Sequence, residues 1–176
     1  MSIQAIRQYR VELDKIVKYG GTTTETVIRS AFFNLLNEYA RQRGWMMLAE
    51  ISIKTRDGKI ITPDGTLKDS LRLDWGYWES KDEADDLDEE IEKKFARGYP
   101  KDNILFEDSH VAVLIQNGEE TMRCQMSDDA ALHRLLTAFF SFERPEVRNF
   151  REAIELFKQD IPKVTGKIRK KPRGIV

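Results

Sequence analysis

One cysteine and two histidines in 176 residues are too few for several kinds of protein. Cys124 has no second cysteine to pair with inside the chain, so the expected home is a reducing one, the cytoplasm. The same scarcity excludes a structural zinc site, which takes four Cys or His ligands. No apolar run approaches the roughly 20 residues that cross a bilayer, so no membrane partner is expected. The opening residues, Met-Ser-Ile-Gln-Ala-Ile-Arg, lack the apolar core of a secretory signal. With ten glycines and five prolines the chain is neither collagenous nor disordered in composition. Charge of one sign is missing too: the net charge is −1, which does not by itself announce a polyanionic partner.

What is present is 40% apolar and 34% charged residues, enough for one domain with a real core. Charge is segregated, with eight acids between Asp82 and Glu92, and six basic residues and no acid between Lys163 and Arg173. The basic tail could touch phosphates or serve as a solvated linker. Apolar spacing predicts a helix from about Ile3 to Lys18 and a stronger one from Thr22 to Gln42, with Val27, Ile28, Ala31, Phe32, Leu35, Leu36 and Tyr39 on its buried face. The period then changes. Met46 to Lys54 reads as a strand, Asp57-Gly58 as a hairpin turn before Lys59 to Thr62, and Leu71 to Lys81 as a third strand. Asp85 to Ala96 reads as a helix with Leu87, Ile91 and Phe95 inward. Its acids favour the positive end of the helix dipole. Ile104 to Phe106 adds a short strand, and Val111 to Ile115 a strand buried on both faces. Asn117-Gly118 turns the chain into Glu120 to Met126. Ser127 is the expected cap of a helix through Phe140, and Pro145 opens the last one. The order α-α-β-β-β-α-β-β-α-α predicts a mixed α/β fold, a central mixed sheet flanked by helices.

The chemistry is concentrated between Ile60 and Lys81. Fourteen residues separate Asp64, of Pro63-Asp64-Gly65, from Glu79, of Glu79-Ser80-Lys81. A chain that folds back near Leu71 brings Asp64 and Glu79 face to face, and alternation puts Glu79 and Lys81 on one side of their strand. Two carboxylates can hold a hard cation such as Mg²⁺ or Mn²⁺ with water in the rest of its shell. Such an ion polarises a phosphate oxygen and acidifies a bound water, and the lysine stabilises developing negative charge. This is the set that phosphodiester hydrolysis needs.

Beyond that motif, three stretches resemble a known group: Thr24 to Phe32, Leu73 to Asp82, and Gly98-Tyr99-Pro100 followed by Asn103 to Asp108. They are similar to the N-terminal nuclease region of large single-chain restriction–modification proteins, the type ISP and type IIG-like enzymes of the PD-(D/E)XK nuclease superfamily. The resemblance covers roughly residues 20 to 160. It implies a restriction-endonuclease-like core of order α-β-β-β-α-β, matching Thr22 through Ile115. Metal would fall to Asp64 and Glu79, and catalysis to Asp64, Glu79 and Lys81. Glu25 matches a glutamate that many members carry on the first core helix. The implied partners are DNA and further domains: an adenine-N6 methyltransferase, a target-recognition domain and, in some members, a helicase-like motor. A double-strand cut by a one-site module usually needs two copies, which leaves a homodimer open. The expected segments are residues 1–21 as N-terminal helix and linker, 22–126 as nuclease core, 127–162 as a helical pair packing on the core, and 163–176 as basic tail or linker. No Asn-Pro-Pro-Tyr-type motif or glycine-rich cofactor loop appears, so the expectation is an isolated nuclease module or a stand-alone relative.

Plainer explanations stand beside each assignment. Asp64 also fits a simple turn, and Thr22-x-x-Glu25 is a capping box. Asp74 is the second candidate for the metal-binding aspartate. Its spacing of five from Glu79 sets it on the opposite face unless a bulge at Gly76 reverses it. Trp75, Tyr77 and Trp78 could stack on unpaired bases, but packing is the expectation. The function expected is a metal-dependent DNA endonuclease in phage defence. The alternative is a catalytically inactive DNA-binding or docking module of a DNA methyltransferase, and a structural subunit is a third reading.

Overall fold

The computed structural model describes residues 3–20, 25–55, 57–82 and 84–168, except for the side chains of residues 20, 25, 148, 151 and 159–168. The chain divides into two compact units, Met1–Phe142 and Glu143–Val176. The second is built on one helix, Pro145–Ile168, opened by proline at its first position as the sequence predicts.

The first unit opens with α1 (Ile3–Gly20) and α2 (Glu25–Arg41), followed by β1 (Met46–Ala49), β2 (Ile53–Lys54), β3 (Ile60–Ile61), β4 (Gly65–Lys68) and β5 (Asp74–Ser80). Then come α3 (Leu87–Ala96), β6 (Asn103–Glu107), β7 (Val111–Gln116), β8 (Glu119–Gln125) and α4 (Asp129–Phe140). Six strands form one sheet in the order β1-β4-β5-β6-β7-β8. The β5–β6 pair is parallel, bridged by α3, and every other neighbouring pair is antiparallel. The result is the expected mixed α/β fold, a central mixed sheet flanked by helices.

Alternation along the strands sends side chains into two separate cores. On one face, Leu67, Trp78, Leu105, Ala112 and Leu114 meet α1, α2 and α4 through Ile6, Phe32, Leu36, Tyr39, Leu135 and Phe139. On the other, Tyr77, Ile104, Phe106 and Val113 meet Leu87 and Ile91 of α3 and Ile61 of β3. The helical face read from α2 is buried as expected from Ala31 to Tyr39, while Ile28 is half-buried and Val27 at the rim is 37% exposed.

Three local departures from the sequence reading appear, and the first two place Asp64. The strand expected from Met46 to Lys54 stops at Ala49, because Glu50 turns into the left-handed region (φ 51°) and donates its N–H to the Asp64 carbonyl at 3.2 Å. Ile53–Lys54 then pairs with Ile60–Ile61 in a separate hairpin, whose Ile53 and Ile61 join the α3-side core. The chain returns as β4, a strand the sequence reading did not contain, inserted between β1 and β5. The helix expected to be capped by Ser127 is capped one residue later by Asp128, which accepts the amides of Ala130 and Ala131 at 3.0 and 2.9 Å. The Asn117-Gly118 turn is as expected, with both residues at positive φ (53° and 86°).

Candidate active site

β4 and β5 run antiparallel with Gly65 opposite Trp78, so Asp64, just before β4, lies beside the Glu79–Ser80 end of β5. Asp64 Oδ2 accepts the Ser80 amide at 2.8 Å, which ties the Pro-Asp segment to the Glu-Ser-Lys segment directly. Its other oxygen is paired with Arg29 of α2, and the same guanidinium reaches Glu50 at 3.4 Å. Glu79 is fully buried and faces α3. Its Oε2 is paired with Lys94 of α3 and lies 3.9 Å from Lys81 Nζ, while its Oε1 is buried with no hydrogen-bond partner. Lys81 stands between Glu79 and Glu90, its nearer partner at 3.3 Å. Lys94 is also held by Tyr99, whose hydroxyl is 3.2 Å away and whose ring centroid is 4.7 Å away. Tyr99 donates to the Thr62 carbonyl at 3.3 Å.

These positions follow from local sequence. Asp86 caps α3 by accepting the amides of Asp88 and Glu89, and Gly98 ends it at φ 96°. That fixes the helix so that Lys94, one turn beyond the buried Ile91, points at β5. Burial holds the Glu79 carboxyl above its usual range, the nearby Asp64 charge adds to that, and Lys94 and Lys81 oppose it. Burial also pushes the Glu107 carboxyl, opposite Ser80 on β6, up to about 7.

Asp64, Glu79 and Lys81 therefore meet at one end of the sheet. Asp74 does not join them. The register skips Trp75, with Leu67 opposite Gly76 and Lys68 opposite Asp74, so β5 bulges beside Gly76. The bulge turns Asp74 toward Tyr77, which donates to it at 3.4 Å, and hence toward the face of Glu79. It nonetheless remains about 15 Å from Glu79 along the strand, paired with Lys68. Glu25 opens α2 one turn before Arg29, but its side chain, like the Thr22 of the capping box, lies outside the described residues. Trp75 stacks on Trp45 at 5.2 Å and donates to Asp69, while Tyr77 and Trp78 are core residues. Arg29, Lys94, Tyr99 and Glu90 were not assigned to the site in the sequence reading. Lys94 was findable from the face of α3 that carries Leu87 and Ile91.

Two carboxylates with one unpartnered buried oxygen suit a hard divalent cation. Among the described residues no group of three Asp, Glu, His or Cys side chains gathers at one point. Asp64 and Glu79 are thus the pair that could hold such an ion, with water completing its shell.

The fold is thus a mixed α/β sheet flanked by helices, with two carboxylates and a lysine at one end of the sheet. The chain is 50% identical to DrdV, solved by cryo-EM as a DrdV–DNA complex, over 96% of its own length, with a TM-score of 0.83. It spans 17% of that DrdV chain. A DUF820 protein from Anabaena variabilis is 11% identical over 68% of this chain and 83% of its own, with a TM-score of 0.45, a distance at which the likeness carries no functional weight. No protein-family model and no curated protein matches the chain. Among the described residues no helix is long and apolar enough to cross a membrane.

Proposed function

We propose that this chain is the nuclease part of a metal-dependent DNA endonuclease of the restriction–modification type. The observation that carries the reading is the meeting of Asp64 and Glu79 on adjoining strand ends with Lys81 beside them. Identity of 50% to DrdV, a protein solved with DNA, supports DNA as the substrate. The short span of the chain relative to DrdV fits target reading and methylation by other domains.

Mg²⁺ held by Asp64 and Glu79 would polarise a phosphate oxygen and lower the pKa of a bound water. The protein's own groups do the positioning. The Ser80 amide fixes Asp64 against β5. Lys81, one residue past β5 with its amide bonded to the Glu107 carbonyl at 2.8 Å, and shared with Glu90, supplies a fixed positive charge where the phosphorane charge develops. Arg29 at the end of α2 is placed to take a flanking phosphate once it leaves Asp64. The test is conversion of supercoiled plasmid at low salt with Mg²⁺ or Mn²⁺. Nicking that EDTA stops and that Glu79→Gln and Lys81→Met both abolish is expected. Nicking that survives both substitutions would rule this reading out.

A further inference from the structure

We propose that Lys94 is a resident counter-cation for Glu79, occupying the carboxylate in place of a divalent ion and giving it up when the ion binds. The inference rests on the metal-dependent reading above and adds a residue that the Asp–Glu–Lys motif does not contain. Glu79 is fully enclosed, and a carboxylate so placed needs a compensating charge. Lys81 does not supply most of it, being nearer to Glu90 (3.3 Å) than to Glu79 (3.9 Å). Lys94 does, through direct contact with Glu79 Oε2. Its side chain is only 13% exposed, and Tyr99 grips it by hydroxyl and ring.

An ammonium is a compact point charge on a flexible stem, so it competes with a metal ion for one carboxylate without fixing a geometry of its own. A divalent ion between Asp64 and Glu79 would set two like charges beside Lys94 in a poorly hydrated place, where their repulsion is strong. Although Glu79 Oε1 is unpartnered, an ion on it would share one carboxylate with the ammonium on Oε2, so each weakens the other's hold on Glu79. Tyr99 keeps the displaced ammonium at the site, where a phosphate is the anion that can receive it. Lys94 would thus make metal loading unfavourable until a phosphodiester arrives, coupling the two ligands.

The experiment is Mn²⁺ binding to the intact chain without DNA, by titration calorimetry, for wild type, Glu79→Gln, Lys94→Gln, Lys94→Arg and the control Lys93→Gln. Lys93 is the next residue on α3, half-exposed and paired with Glu89 and Glu90. Lys94→Gln should bind Mn²⁺ at least 10-fold tighter, about 1.4 kcal/mol, while Lys94→Arg and Lys93→Gln stay near wild type. Because Lys94→Gln leaves Glu79 uncompensated, its melting temperature should also rise more on adding Mn²⁺ than that of wild type. Unchanged or weaker Mn²⁺ binding in Lys94→Gln overturns the inference. If wild type binds Mn²⁺ and Glu79→Gln abolishes it while Lys94→Gln does nothing, only this inference fails. If none of the proteins binds Mn²⁺, the metal-dependent reading fails with it.

Discussion

Glu107 offers a sharp physical test of the site's surroundings. Its side chain is 1% exposed at the end of β6, beside Ser80, and one carboxylate oxygen accepts the Ser109 amide at 2.9 Å. Burial raises its pKa from 4.5 to about 7, against the lowering influence of Ser80, the Ser109 amide and Trp78. The folded protein therefore keeps this proton longer than the unfolded chain does. The stability it contributes is complete below pH 4.5 and falls as pH rises through 7, because ionising the buried group costs more than ionising it in water. A rise from 4.5 to 7, at about 1.4 kcal/mol per unit, amounts to roughly 3 kcal/mol above pH 8. Glu107→Gln keeps the shape and removes the ionisation. The variant and wild type should unfold alike near pH 4, and the variant should be more stable by about 3 kcal/mol at pH 8, roughly 10 °C in Tm for a chain of this size. Calorimetry across that range checks it. A wild type–variant difference that stays constant with pH would mean that Glu107 does not titrate as its burial dictates.

Three further substitutions test the packing that holds the site. A Cβ on Gly76 would sit 2.8 Å from Asn103 Nδ2 and from Phe139 Cε2. Gly76→Ala should therefore lower stability by about 1–3 kcal/mol through overpacking, read as a lower denaturation midpoint with an unchanged slope. Asn103 donates to the Trp75 and Phe139 carbonyls at 2.9 and 3.0 Å and accepts from Gln116 at 2.9 Å. Asn103→Ala strands those buried groups and should cost about 1–3 kcal/mol by urea unfolding. Trp78, 1% exposed and packed on Phe32, backs the strand that carries Glu79. Trp78→Ala should cost about 3–5 kcal/mol in the same measurement.

Long periodic patterns were legible in the sequence because one physical cause produced them. The buried stripe of α2, the apolar run of β7 and the Asn117-Gly118 turn each obey a local rule that tertiary contacts reinforce. β4 was not legible: Gly65-Thr66-Leu67-Lys68 is short, opens on glycine and is buried at three of four positions, so it shows no alternation. The break at Glu50 was hidden for a different reason. A glutamate carries no turn signal, and its left-handed backbone is set by the return of Asp64 from a distant point in the chain. The proximity of Asp64, Glu79 and Lys81 was anticipated from their spacing and from a family resemblance. Arg29 and Lys94 were not, because each reaches its carboxylate from a helix distant in sequence, and nothing local to Arg29 or Lys94 marks that pairing.

The central claim is that Asp64, rather than Asp74, is the aspartate that acts with Glu79. The direct measurement is Mn²⁺-dependent plasmid cleavage by wild type, Asp64→Asn and Asp74→Asn side by side, at matched folding stability. The account predicts that Asp64→Asn abolishes cleavage and that Asp74→Asn, which disturbs the contacts with Lys68 and Tyr77 toward the far end of β5, retains it. Cleavage that survives Asp64→Asn and is lost in Asp74→Asn would contradict it.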